Sequence, residues 1–407
     1  MYIPRHAEAT LTKLAQMFGA VLVTGSRQVG KSTLIEHAVP EVPMLTMDNA
    51  AVLQAATTAP DSFFSYNPPP VFIDEAQKAP QLFPAVKQVV DSTKGKGLVY
   101  LSGSEQFEMM AGVSESLSGR VGIITLMGVT LREQSLDPDA TPFLPSPGYL
   151  STRRPAVVPL TPDAVWERIH RGSMPELVAD PAMDWSLYYG SYVRTYIGRD
   201  IRRLAQVDNE MRFQQFMEVV AARTGQLLNL ADIASSVGVA QPTAKRWMSI
   251  LRTSGLVYLL RPFQNNLTSR AIKTPKLYVT DTGLAAYLSR WTTPEVLRSG
   301  AMAGAYLETF AIMEALKSYR NAGVLDEPFY FFRDKDKREI DLIIVRDGIV
   351  HPLEVKATPT PSPRDIAAFK VLDTVPGVRR GPGGVICLAG QLLPLTSTDA
   401  VIPVHYL

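Results

Sequence analysis

Cysteine is nearly missing. The 407 residues include one, Cys387, which excludes an internal disulfide and a multi-cysteine zinc site and makes a reducing cytoplasm the expected compartment. Neither charge is in excess: 41 Lys and Arg face 39 Asp and Glu, a net charge of +2. Global charge therefore does not argue for nucleic acid; only a local patch would. No apolar run approaches the roughly 20 residues that span a bilayer. The start, Met1-Tyr2-Ile3-Pro4-Arg5-His6, lacks the basic-then-apolar order of a signal peptide, and no membrane partner is expected. Internal repeats and long low-complexity tracts are also lacking. A hydrophobic fraction of 46% and a charged fraction of 20% are ordinary for a folded chain. The length exceeds the roughly 250–300 residues at which a single core stops growing, so two or three domains are expected.

Residues 1–133 alternate short apolar runs with helical stretches. Ala20–Thr24, Val71–Asp74, Leu98–Ser102 and Val121–Leu126 are short, β-branched and bounded by Gly, Pro or Asp, the pattern of buried strands. Leu11, Leu14, Ala15 and Phe18 keep a 3.6-residue period and predict a helix before the first strand. Strands alternating with helices predict an α/β domain with a largely parallel sheet. In 134–163 the prolines Pro138, Pro142, Pro145, Pro147, Pro155, Pro159 and Pro162 predict a linker or surface insertion without regular elements. A helical block occupies 164–300, and a mixed block 301–407.

The run Gly25-Ser26-Arg27-Gln28-Val29-Gly30-Lys31-Ser32 matches G-x-x-x-x-G-K-[ST] in full. It follows an apolar strand and precedes helix-compatible residues from Thr33, the context the motif requires. The glycines let successive N–H groups turn inward on phosphate oxygens, and the helix N-terminus adds partial positive charge. Lys31 is expected at the β- and γ-phosphates and Ser32 at Mg²⁺. The apolar strand ending in Asp74-Glu75 adds an acid, Asp74, to hold Mg²⁺ through water, and in Glu75 a group to orient or deprotonate the attacking water. ATP and Mg²⁺ are the expected cofactors. Ser102 or Ser104, at the next strand end, is placed to sense the γ-phosphate or is simply a polar terminus. Arg120 is either a surface arginine or one that acts in trans on a neighbour's γ-phosphate, which would require a homo-oligomer.

As a set, Gly25 to Thr33, Phe72-Ile73-Asp74-Glu75-Ala76-Gln77-Lys78 and Ser118-Gly119-Arg120 resemble a prokaryotic AAA-like P-loop ATPase family with a C-terminal domain of unknown function 4143. The resemblance continues through Arg171–Glu176, Ala222–Asn229 and Thr274–Gly283. It implies ATP binding and hydrolysis, and it places Ile3, Pro4 and Arg5 at the adenine pocket.

In the middle block, over about 212–282, the order is helix, turn at Gly238, second helix, then two short strands. Leu230, Ile233, Ala234 and Val237 share one face behind the expected N-cap Asn229. Ala244, Trp247, Met248 and Leu251 form the second helix's apolar stripe, and Lys245, Arg246, Ser249 and Arg252 face away. Leu256–Leu260 and Lys276–Val279 complete a winged helix-turn-helix layout. That layout fits either DNA contact or a lid or oligomerisation module.

In the last block Glu308 interrupts an apolar helix side, and Asp341 lies within an apolar strand. Period-two alternation puts Glu354 and Lys356 on one face of the next strand. Buried ionisable groups are costly unless they pair or bind a cation. The element order, with a helix over Arg364–Leu372 and a strand over Gly384–Ala389, resembles the core of PD-(D/E)xK nucleases. That resemblance implies Mg²⁺ on Glu308, Asp341 and Glu354, with Lys356 positioning water or stabilising the transferred phosphate; the other reading is an ion pair of Lys356 with Glu308 or Asp341 in a decayed site. The expected fold is α/β throughout: a P-loop NTPase (AAA-like) parallel-sheet domain, a helical winged-helix middle region and a restriction-endonuclease-like α/β domain. Three functions fit: a Mg-ATPase controlling its C-terminal half, a nucleotide-dependent DNA-binding regulator without cleavage, or an ATP-gated DNA nuclease.

Overall fold

Two sheets arise from these apolar runs. The computed structural model describes residues 2–103, 116–196, 210–263 and 273–407. The chain divides into two compact units. One contains Met1–Thr141, Thr253–Gly255 and Lys317–Leu325; the other contains Pro142–Arg252, Leu256–Leu316 and Asp326–Leu407.

The first unit holds five strands, β1 (Ala20–Gly25), β2 (Met44–Thr46), β3 (Val71–Asp74), β4 (Val99–Gly103) and β5 (Val121–Leu126), in the order β2-β3-β4-β1-β5. Every pairing is parallel. Parallel strands covered on both faces need continuous apolar sequence, and Ala20–Val23 and Val71–Ile73 are closed to solvent. Strand β2 is not among the expected strands, because it is three residues long, sits at the sheet edge and is partly exposed. The first helix, Ala7–Met17, stops before Phe18, which is extended and donates its N–H to the Leu14 carbonyl. Gly25, Asp74 and Gly103 all lie at the carboxyl edge of the sheet, where parallel α/β sheets bind ligands.

The Pro-rich stretch needs a correction where it enters the second unit, from Pro142 on. Pro147 begins a helix, Pro147–Arg153, and Pro162 begins another, Pro162–Arg171. Each is the first helical residue, where a missing N–H costs nothing, and each follows a hydroxyl cap, Ser146 or Thr161. Helices Leu230–Val237 and Gln241–Thr253 follow, with Asn229 capping the first and Gly238 left-handed between them. Ala244, Trp247, Met248 and Leu251 are buried, as their spacing predicts.

A ten-stranded mixed sheet completes this unit. Its strands are β6 (Gln226–Leu227), β7 (Val257–Pro262), β8 (Lys276–Val279), β9 (Phe329–Arg333), β10 (Glu339–Arg346), β11 (Ile349–Lys356), β12 (Arg379–Arg380), β13 (Gly383–Cys387), β14 (Leu393–Pro394) and β15 (Asp399–Pro403). The order is β14-β15-β13-β11-β10-β9-β7-β8-β6, with β12 beside β11. The expected hairpin of β7 and β8 forms, Val257 opposite Val279. It is not a free wing, since β7 also pairs in parallel with β9. The single helix expected over Arg364–Leu372 is instead a 3-10 turn, Ala367–Phe369, leading into a short helix, Lys370–Asp373. The Asp365 side chain accepts from the N–H and hydroxyl of Ser362 and ties the preceding residues into a turn.

Candidate functional site

The phosphate loop bridges β1 and the helix Lys31–Ala38. Gly25 has φ +147°, and a Cβ there would stand 2.2 Å from the Leu126 carbonyl oxygen; no other residue fits. Gly30 caps the helix at φ 87°, a conformation that favours glycine. Lys31 is buried, and its ammonium donates to the carbonyls of Ser26 at 2.8 Å and Gly25 at 3.3 Å. Burial lowers its pKa to about 8, against the opposing pull of Glu75 and Asp74. Ser26, Arg27, Gln28, Val29 and the exposed Thr33 complete the run; Val29 is fully buried.

Asp74 ends β3, and its Oδ1 accepts from the Ser32 hydroxyl at 2.6 Å and from the fully buried Ser102 hydroxyl. Of the two candidate serines, Ser102 thus lies against the acid, while Ser104 lies outside the described residues. A hydroxyl and a carboxylate oxygen this close are the hard donors Mg²⁺ takes, so Ser32 and Asp74 fit that ion. Glu75 follows in a left-handed conformation, φ 53° and ψ 41°. Such conformations are costly for a residue with a Cβ and concentrate at functional sites. The Gln77 amide donates to the Glu75 carboxylate.

Arg5 plays a part its position in sequence does not reveal. It is buried and donates to the carbonyls of Val29 at 2.9 Å and Met127 at 2.7 Å, with Nε 3.2 Å from Glu133. Glu133 is buried and also accepts from the N–H groups of His6 and Thr130. The guanidinium therefore supports the phosphate loop from behind. Ile3 is half-buried and Pro4 exposed; beside them Tyr2 stacks on His37, ring centroids 3.6 Å apart. Arg120 precedes β5 at the amino edge of the sheet, opposite the loop. It holds Asp91 with two bonds, 2.5 and 3.0 Å.

A second cluster forms in the mixed sheet. Glu308, on the helix Ala303–Asn321, accepts on Oε1 from Lys276 Nζ at 2.9 Å and from the Tyr278 hydroxyl at 2.6 Å. The same ammonium pairs with Glu339 and lies 3.6 Å from Asp341 Oδ1. Asp341 Oδ2 accepts from the Val355 N–H at 3.0 Å. Lys356 pairs with Glu354 at 2.7 Å and stands 3.9 Å from Asp341. Burial pushes Glu308 up to about 7 and Glu354 up to about 9, with Asp341 adding to both. Lys276 is also raised: burial opposes its charge, but Glu308, Asp341 and Glu339 outweigh it.

The structure brings Glu308, Asp341, Glu354 and Lys356 into one cluster, but the oxygens of Glu308 and Asp341 converge on Lys276 rather than on open space. These acids do not fit Mg²⁺ in this arrangement. Among the described residues no group of three His, Cys, Asp or Glu is placed to hold a metal ion. Lys276, Tyr278 and Glu339 are the members that sequence reasoning passes over. The signal was available, since Lys276 and Tyr278, like Glu339 and Asp341, are two apart in otherwise apolar strands. Lys245, Arg246, Ser249 and Arg252 are all exposed on the helix Gln241–Thr253.

Comparison with known proteins finds three domain matches along the chain. Residues 18–135 match the AAA domain, 162–295 the domain of unknown function 8612, and 303–407 the domain of unknown function 4143. An uncharacterized protein of Mycobacterium tuberculosis and one of Mycobacterium bovis are each 28% identical over 410 residues, covering 98% of this chain and 86% of theirs. Among solved structures, the Walker-type ATPase of Pyrococcus abyssi is 13% identical, covers 69% of this chain and 94% of its own, and has a TM-score of 0.44. A signal-transduction ATPase with a tetratricopeptide repeat sensor, from Pyrococcus horikoshii, is 10% identical over 79% of this chain and 48% of its own, with a TM-score of 0.27. No helix among the described residues is long and apolar enough to cross a membrane. The chain joins an AAA-type P-loop domain near its N-terminus to a domain of unknown function 4143 at its C-terminus.

Proposed function

We propose that this chain is a Mg²⁺-dependent ATP hydrolase whose nucleotide cycle acts on its C-terminal half. The observation that carries the reading is the 2.6 Å contact of Ser32 with Asp74 beside the buried Lys31, all at the carboxyl edge of one parallel sheet. The loop amides and Lys31 bind the phosphates, Lys31 exchanging its two carbonyl partners for phosphate oxygens. Ser32 and Asp74 hold Mg²⁺, which would neutralise charge on the β- and γ-phosphates. Ser102 fixes the Asp74 carboxylate. Glu75 orients the attacking water and takes its proton, with Gln77 setting the carboxylate's direction. Glu75→Gln is expected to bind ATP as the wild type does while hydrolysing it at least about 10²-fold more slowly. Phosphate release and labelled-ATP binding on the two proteins check this, and equal rates remove Glu75 from the role.

A second reading, DNA contact, is favoured by one observation: Lys245, Arg246, Ser249 and Arg252 are exposed along one helix behind a fully buried apolar stripe. Phosphate contacts make affinity fall with salt, and replacing Lys245 and Arg252 by Ser should lower that slope by about 2. Fluorescence polarisation on duplex DNA across a salt series measures it. No binding even at low salt eliminates the reading.

A further inference from the structure

The first unit draws on chain from far outside its AAA match. That match covers 18–135, yet Lys317–Leu325, from the region matched to the domain of unknown function 4143, belong to the same unit. Lys317, Ser318 and Asn321 lie at the end of the helix Ala303–Asn321, and all three are buried although polar. Buried polar groups are costly unless they are partnered. Lys317 and Asn321 stand four apart, so they share one helix face. Their partners are also four apart: Lys317 Nζ donates to the Val129 carbonyl at 3.1 Å, and Asn321 Nδ2 donates to Glu133 Oε1 at 3.1 Å.

These contacts reach the strip of chain that backs the phosphate loop. The strip begins where the Leu126 carbonyl closes on Gly25, and it continues through Met127 and Gly128, whose carbonyls accept from Arg5 at 2.7 and 3.3 Å. Arg5 also holds the Val29 carbonyl within the loop. Glu133 anchors the arrangement. Its Oε2 accepts from the Thr130 N–H at 2.8 Å and lies 3.2 Å from Arg5 Nε, and its Oε1 accepts from the His6 N–H at 2.8 Å beside the Asn321 amide. The Thr10 hydroxyl donates to the Asn321 carbonyl at 2.6 Å, which ties the helix end to the first helix as well. Asn321 Oδ1 is buried with no hydrogen-bond partner among the described residues. An unpartnered buried acceptor costs stability, and leucine has the same branched shape without that cost. The side chain therefore serves its donor bond to Glu133 more than the packing of its own helix.

We infer, taking the loop as the ATP site proposed above, that Asn321 and Lys317 are positioning residues of that site. Through Glu133 and Arg5, and through the Val129 carbonyl, they hold the phosphate loop in the shape that accepts phosphate. The AAA domain's affinity for nucleotide then depends on a helix end supplied by the domain of unknown function 4143. A loop that spends only a fraction of its time in the binding shape loses affinity in proportion, and the chemistry of the bound complex is unchanged. The loss therefore falls on Kd and KM and spares kcat.

The test compares the full-length wild type, Asn321→Leu and Lys317→Met. ADP binding with Mg²⁺ is measured by calorimetry, ATP hydrolysis at steady state, and the loop itself by hydrogen–deuterium exchange of residues 25–33 without nucleotide. Asn321→Leu is expected to raise the ADP Kd and the ATP KM about tenfold and to leave kcat within about twofold. Exchange over 25–33 should quicken while that of β13 does not. A folded Asn321→Leu with wild-type Kd, KM and exchange overturns the inference, and so does one in which kcat falls while KM stays. Should Asn321→Leu not fold, Lys317→Met decides on the same readouts: the same split supports the inference, and wild-type values overturn it. Exchange needs no nucleotide, which separates the two readings. If the wild type binds neither ADP nor ATP, the ATP reading fails by itself, and loop exchange decides whether Asn321 positions the loop: quicker exchange in the variant supports it, and equal exchange overturns it.

Discussion

At the scale of the residue, Lys31 shows how much of the phosphate loop can be read from sequence. The motif is legible because its chemistry demands fixed residue types at fixed local spacing: glycine where a Cβ would strike the Leu126 carbonyl, and a cation at the helix start. Arg5 is not legible in this way. Its partners are 24 residues away at Val29 and 122 away at Met127, and no local pattern encodes a contact over such separations. Burial also sets a property of Lys31 that the motif does not. Its pKa falls to about 8, so above that pH the free chain carries a neutral amine where the phosphates need an ammonium. Binding must then take up a proton, and ATP affinity should fall by up to about tenfold per pH unit above that value. Calorimetric titration with ATP across the alkaline range measures the slope; a flat profile would mean that Lys31 stays charged in the free chain.

Among secondary-structure elements, buried strands were the easiest to foresee and edges the hardest. Val71–Asp74 and Val121–Leu126 fall where their apolar runs predict. β2 does not, because a short edge strand is specified by its neighbour more than by its own residues. Pro147 and Pro162 mislead in a different way: the residue type that ends a helix is equally suited to begin one after a hydroxyl cap. In the row of acids on the mixed sheet, alternation places Glu354 and Lys356 on one face, whereas the register slip of β10 on β9 between Ile340 and Ile343 leaves no local mark in the sequence, and the arrival of Lys276 depends on a strand distant in sequence. That row makes stability depend on pH. Glu354 titrates at about 9 in the folded chain against an ordinary 4.5, through burial first and then Asp341. The folded chain keeps a proton there that the unfolded chain has released, so stability is fully present below the ordinary value and declines as pH rises toward 9. Glu354→Gln removes this titration and should flatten the decline, read as the shift of the urea midpoint across the window. An unchanged pH profile would place the dependence on other groups.

For the whole molecule, the question the sequence leaves open is whether one chain completes its own site, and strand direction bears on it. β5 runs parallel to β1, Ala20 level with Val121 and Gly25 level with Leu126. Arg120 therefore stands at the amino edge of the sheet and the phosphate loop at the carboxyl edge, roughly 16 Å away at about 3.3 Å per residue. It cannot reach the γ-phosphate of its own chain, so any catalytic role is toward a second copy, once Asp91 is released. Under that reading Arg120→Ala should keep ATP affinity and lose about 10³-fold in kcat, while Lys31→Ala should lose ATP binding. Neither variant hydrolyses ATP effectively alone. Mixing them should restore part of the rate, because a mixed assembly pairs an intact loop on one chain with an intact arginine on the other. The recovery should rise with total protein concentration, as a shared site requires. If mixing restores nothing at any concentration, Arg120 is a surface partner of Asp91, and the arginine gives no reason to infer an oligomer.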